Sequence, residues 1–116
     1  MRRFLYVFCT FIFLSGSALA QPFVVGIHFD QGDWTTPGFN QDVWDGVSAA
    51  TRDLSDSNIE VVLSQNRLGA DGKLQSMPND FDLIIAAGAG QLAFAQAASI
   101  ALPNTHILLI DAVIDE

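Results

Sequence analysis

The run Phe81 to Ala87, F-D-L-I-I-A-A, limits the fold more than any other stretch of this chain. Leu83, Ile84 and Ile85 stand together unbroken by charge, which is the pattern of a strand covered on both faces rather than one. Strands of that kind belong to parallel sheets, where the helical crossovers supply the cover. The residues that follow agree. Gly88-Ala89-Gly90 turns the chain into Gln91 to Leu102, an alanine-rich segment that is apolar nearly all round and therefore expected to be a packed helix. Pro103 and Asn104 stop it, and Ile107 to Ile110 reads as another buried strand with Asp111 at its end.

The earlier part of the chain repeats this alternation. Phe23 to Phe29 is an apolar strand, and the loop Asp30 to Asn40 delivers the chain into a helical pattern beginning at about Phe39. Phe39, Val43, Val47, Ala50 and Leu54 recur at spacings of three and four, marking one face of a helix that ends near Ser55, with Thr36 as its cap. Asp56, Ser57 and Asn58 form a turn, and Ile59 to Leu63 is a strand rich in β-branched residues. A polar segment from Ser64 to Asp80 follows, in which Ala70 to Met77 is expected to form a short helix. Strands alternating with helices predict an α/β fold, a parallel three-layer sandwich of Rossmann-like type, with the strand order left open. Because the chain stops at Glu116 directly after a strand, the sandwich is expected to be incomplete, the front portion of a longer protein. Residues 21 to 116 alone are then expected to be poorly stable and to bind a ligand no more tightly than about millimolar.

The first twenty residues stand apart. Arg2 and Arg3 form a positive n-region, Phe4 to Leu14 an apolar h-region short for a membrane span, and Ala18-Leu19-Ala20 a small-x-small cleavage site. Together they read as a secretory signal peptide cleaved after Ala20, with an uncleaved membrane anchor as the alternative. The product is expected in the periplasm or outside the cell, exported by the general route rather than the twin-arginine one. Cys9, the single cysteine, leaves with the peptide, so the mature chain has no disulfide, thiolate nucleophile or cysteine metal site. Cleavage leaves 3 Lys and Arg against 13 Asp and Glu, moving the net charge from −8 to −10. So acidic a surface repels phosphate backbones and anionic headgroups, which makes nucleic acid and membrane surfaces poor partners.

In a parallel α/β sheet, ligands bind at the carboxyl ends of the strands. That rule singles out Asp30, which either contacts ligand or caps the turn after its strand. Trp34, in a polar glycine-bearing loop, is an exposed aromatic lid or a packed anchor. Phe39 is a stacking ring or a core residue, with Asn40 beside it offering an amide that both donates and accepts. Gly88 begins the turn after the third apolar strand, and Asp111 is a ligand carboxylate or a cap for the segment beyond it. His28 and His106 are expected to be hydrogen-bonded structural residues. No His-Glu-x-x-His pattern supports a metal site, and no G-x-S-x-G turn supports a serine nucleophile. Gly88-Ala89-Gly90-Gln91-Leu92-Ala93 has the form of a dinucleotide fingerprint, with Asp111 downstream as the ribose acid. It follows the third strand instead of the first, and a secreted chain meets little nicotinamide cofactor.

Taken together, the strand ending in Asp30, Phe39-Asn40-Gln41 leading to Gly46, Asp82-Leu83-Ile84-Ile85 followed by Gly88, and Ile110-Asp111 after Pro103 resemble the basic membrane protein family of periplasmic binding proteins. The resemblance spans about Val24 to Asp115. It implies a lobe of a type I periplasmic-binding fold and a substrate-binding protein, not an enzyme, with no cofactor. The partners it implies are a small nucleoside-like ligand, most readily a purine nucleoside, and the permease and ATPase subunits of an ABC importer. By position it places ligand contacts at Asp30, Phe39, Asn40 and Asp111, the ring stacking on the base and the carboxylates holding ribose hydroxyls. Here Trp34-Thr35-Thr36-Pro37-Gly38 stands where the family has a small acidic or polar run, and the lipidation cysteine of many members is missing. The alternatives are a secreted ligand-sensing module of the same fold and a dinucleotide-binding oxidoreductase domain.

Overall fold

The structure, a computed structural model, describes residues 21–54, 57–75 and 80–111. The expected signal peptide, Ser55 at the expected end of the first helix, Asp56 of the expected turn, Ser76 and Met77 of the expected short helix, Pro78, Asn79 and residues 112–116 lie outside these. Among the described residues, six strands and two helices follow in the order β1 (Phe23–Phe29), α1 (Phe39–Asp53), β2 (Ile59–Leu63), β3 (Arg67–Leu68), β4 (Leu74–Gln75), β5 (Leu83–Ala87), α2 (Leu92–Ala101) and β6 (His106–Ile110).

Four of the strands form one parallel sheet in the order β2-β1-β5-β6. β1 is central: Val25 lies opposite Val61 on one side and Leu83 on the other, and Ile27 opposite Leu63 and Ile85. Asp82, the one charge in the Phe81 to Ala87 run, is used in this pairing. Its carboxylate accepts a 2.8 Å hydrogen bond from the Val24 amide, while its own amide donates to the Val24 carbonyl.

Because side chains alternate along a strand, the sheet presents two faces, and each has its helix. On one face Ile27, Phe29 and Ala87 pack with Val43, Trp44 and Val47 of α1. On the other, Phe81, Ile84 and Ala86 pack against Phe94 and Ala98 of α2. The result is the α/β three-layer sandwich that the sequence predicts. Ile27, Ile84, Ala86 and Ala98 are fully buried, so the two cores are dense where helix meets sheet. Gly26 belongs to the α2 face, and a Cβ there would stand 2.8 Å from the Phe81 ring, which takes the space instead.

Four local expectations are corrected. α1 is entered through Gly38 at φ 93°, with no side-chain cap. The Thr36 hydroxyl instead accepts from the Asp33 amide. The two ends of the expected α1 stripe, Phe39 and Leu54, are 41% and 54% exposed, and the packed surface is the shorter set Val43, Trp44 and Val47. The outer side of α2 is not covered either: Ile100 is 83% exposed.

The fourth correction is larger. Where a short helix from Ala70 to Met77 is expected, the described part of it, as far as Gln75, belongs to an antiparallel hairpin, with Arg67 opposite Gln75 and Leu68 opposite Leu74. The turn chemistry decides it. Gly72 sits at φ 75° and donates to the Gly69 carbonyl, Asp71 accepts from the Lys73 amide, and the Gly69 amide bonds the Lys73 carbonyl. A turn closed by a left-handed glycine is a common three-residue hairpin connection, and it removes the residues a helix would need. Leu74 then packs into the α2 core.

Replacing Ile84 by Ala should cost about 2 to 5 kcal/mol in urea denaturation, since it opens a cavity between the sheet and α2. Ile100→Ala, at a site open to water, should change stability by less than about 0.5 kcal/mol.

Candidate functional site

From β1 the chain crosses through α1 to β2 on one side, while β5 lies on the other, so the strand order reverses between β1 and β5. That reversal leaves a crevice at the carboxyl ends, the place where open α/β sheets hold ligands. Asp30 and Gly88 meet there. The Asp30 amide donates to the Ala87 carbonyl, and its carboxylate accepts a 3.2 Å hydrogen bond from the Gly90 amide. A Cβ on Gly90 would stand 2.8 Å from both Asp30 carboxylate oxygens, and one on Gly88, at φ 128°, 2.8 Å from the Asp30 Cβ. The two glycines of the G-x-G turn are thus accounted for by the side chain seated on them. Asp30 also places a negative charge at the entrance to α2, where a dinucleotide would need to place its pyrophosphate.

The rest of the Asp30 to Asn40 loop is tied to itself and to α1. Asn40 donates its amide hydrogens to the carbonyls of Gln31 and Asp33, at 2.7 and 3.2 Å. The Asp33 carboxylate accepts from the Thr35 hydroxyl and amide, which hold its carboxyl below the usual carboxylate range. Trp34, 44% exposed, stacks on Trp44 with ring centroids 5.6 Å apart. It is therefore an anchor on one face and an open surface on the other.

One hollow at this edge lies on the β2 side. A cleft of about 710 Å³ is lined by His28, Phe29, Gly32, Ser64, Asn66 and Arg67, together with neighbouring residues of the loop after β2 and of β4. A smaller one of about 350 Å³ is bordered by His28, Asp30, Arg67, Gly90, Gln91 and Phe94. His28, Phe29 and Arg67 border both. Of the residues singled out in the sequence, Asp30 lines the smaller cleft and Gly88, which lies against Asp30, lines neither. Trp34, Phe39, Asn40 and Asp111 line neither. Asp111, exposed and at φ 54°, ends β6 with β5 intervening between it and Asp30's strand.

Four cleft residues were not foreseen. Ser64 and Asn66 are almost wholly buried, and Gln91 is 1% exposed. Ser64 donates its amide to the Ile27 carbonyl, but its hydroxyl has no hydrogen-bond partner among the described residues. Arg67 reaches the cleft from the hairpin. The strand-end rule that marks Asp30 would have marked Ser64-Gln65-Asn66 as well, since these polar residues directly follow Leu63; Arg67 needed the hairpin to be recognised.

His28 binds the site together. Its ring stacks flat on Phe94, with centroids 3.6 Å apart; Nε2 lies 2.9 Å from the Asn66 carbonyl oxygen and Nδ1 3.0 Å from Gln91 Oε1. Gln91 in turn donates to the carbonyls of His28 and Ala87. A neutral imidazole has one N–H for these two acceptors, and only the charged ring donates to both. Burial nevertheless prevails and pushes the His28 pKa below its usual 6.5, against the Gln91 and Asn66 contacts and the Asp30 charge. No family model and no solved structure matches the chain.

Gly90→Ala should destabilise the protein by about 1 to 3 kcal/mol, and the cost should shrink in an Asp30→Ala background, a coupling read from a double-mutant cycle. The folded chain takes up the His28 proton at lower pH than the unfolded chain does. Stability tied to neutral His28 is therefore complete above pH 6.5 and declines as pH falls from there through the lower folded value. The urea midpoint should fall between about pH 7 and about pH 5.5, and His28→Gln should flatten that slope.

Proposed function

We propose that this chain belongs to a substrate-binding protein working outside the cytoplasm, which takes a small polar ligand of nucleoside type at the carboxyl edge of its sheet and delivers it to the permease and ATPase of an ABC importer. The observation that carries this reading is the cleft of about 710 Å³ between the ends of β1 and β2, a size typical of small-molecule sites, walled by imidazole, hydroxyl, amide and guanidinium groups. The ligand class rests on the resemblance to the basic membrane protein family. Two half-exposed aromatic rings, Trp34 and Phe39, stand on the loop leaving the same strand and could offer a base a flat face. The oxidoreductase alternative is disfavoured by the Asp30 carboxylate, which repels the phosphates its glycine turn would have to cradle.

Amide chemical shifts followed during titration with purine nucleosides test the reading at the weak affinity, about millimolar or roughly 4 kcal/mol, expected of a single open lobe. Saturable shifts should gather at His28, Ser64, Asn66 and Arg67. Shifts confined to other surfaces, or none with nucleosides, sugars and amino acids alike, would overturn it.

A further inference from the structure

We infer that the cleft recognises an oxyanion on its ligand, a phosphate or a carboxylate, through the Arg67 guanidinium and the buried Ser64 hydroxyl. This rests on the reading of the cleft as a ligand site and adds a charge to what occupies it.

Four observations support it. Ser64 is only 6% exposed, lines the cleft, and its hydroxyl has no partner among the described residues. Buried polar atoms in native proteins are nearly always bonded, so a buried hydroxyl without a partner, on a residue of the cleft wall, is a donor still lacking its acceptor. Arg67 is one of just three Lys and Arg residues after position 20, set against 13 Asp and Glu. It borders both clefts and makes no ion pair or hydrogen bond from its side chain among the described residues. In so acidic a chain, a guanidinium left without a carboxylate is available to another anion, and its planar fork of donors suits phosphate and carboxylate oxygens.

Asp30 fixes the polarity. Asp30 borders the smaller cleft, as Arg67 does, and its carboxylate repels an anion from the β1 and β5 crevice while accepting hydrogen bonds from neutral or cationic groups. The charged end of the ligand is thereby directed to the β2 side, against Ser64 and Arg67, and its hydroxyl or amine groups toward Asp30.

The test titrates the whole chain with adenosine, adenosine 5′-monophosphate, inorganic phosphate and acetate, following amide shifts at low and at high salt. The monophosphate should bind about tenfold or more tightly than adenosine at low salt, and the gap should narrow at high salt. Phosphate alone shifting the Ser64 and Arg67 amides assigns a phosphate ligand, and acetate alone doing so a carboxylate. Arg67→Gln should abolish the preference. Ser64→Ala should weaken anion binding while leaving the urea midpoint unchanged or raised, because it removes a buried hydroxyl that the free protein leaves unbonded. Equal affinity for adenosine and its monophosphate, or anion binding untouched by Arg67→Gln, overturns the inference while leaving nucleoside recognition standing. Anion binding lost on Arg67→Gln, in a protein indifferent to adenosine, supports it and overturns the nucleoside assignment.

Discussion

The structure depends on β1 being hydrogen-bonded along both of its edges. Parallel pairing to β2 and to β5 satisfies its backbone on either side, which permits the strand to lie between two helices, out of water. The same pairing determines where chemistry can occur. With β2 on one flank and β5 on the other, the loops leaving those strands diverge above the sheet, and residues just past the strand ends, Asp30 and Ser64, border the hollows between them. The helices α1 and α2 hold the sheet from outside and leave this edge open.

A local motif can carry one meaning in isolation and another in place. Gly88-Ala89-Gly90 at the start of a helix matches a phosphate-binding turn, because both need a backbone that a second group can approach closely. Here the group that approaches belongs to the protein. The Asp30 carboxylate bonds the Gly90 amide and rests where Cβ atoms would otherwise stand. Glycine records the close approach without recording which partner makes it, and only the neighbouring strand supplies that information.

This explains which parts were legible in the sequence. The main strands and helices followed from apolar periodicity: Phe23 to Phe29 and Ile59 to Leu63 match the observed strands residue for residue, and the unbroken Leu83 to Ile85 run correctly announced two covered faces. Burial on one helix face was less legible. Phe39 and Leu54 continue the α1 stripe in spacing, yet the sheet beneath extends only far enough to cover Val43, Trp44 and Val47. The hairpin was misread because its strands are two residues long, too short for a period, and its evidence lay in the Asp71-Gly72 turn. The cleft itself was half legible. Asp30 was visible by its strand-end position, whereas His28, Ser64 and Arg67 come together only through the β2-β1-β5 order, which no local pattern encodes.

The hairpin's attachment has a mechanical meaning. Leu74 is packed into the α2 core, so the arm bearing Arg67 is fastened to that helix, while Phe29 lies in the sheet and Ser64 is hydrogen-bonded to its central strand. The cleft is thus shaped like a jaw, one wall on the sheet and the other on a hairpin seated against α2, with the imidazole of His28, flat against Phe94 and bonded to the Asn66 carbonyl, between them. A sideways slide of α2 along the sheet would be felt first as a change in the jaw's gape.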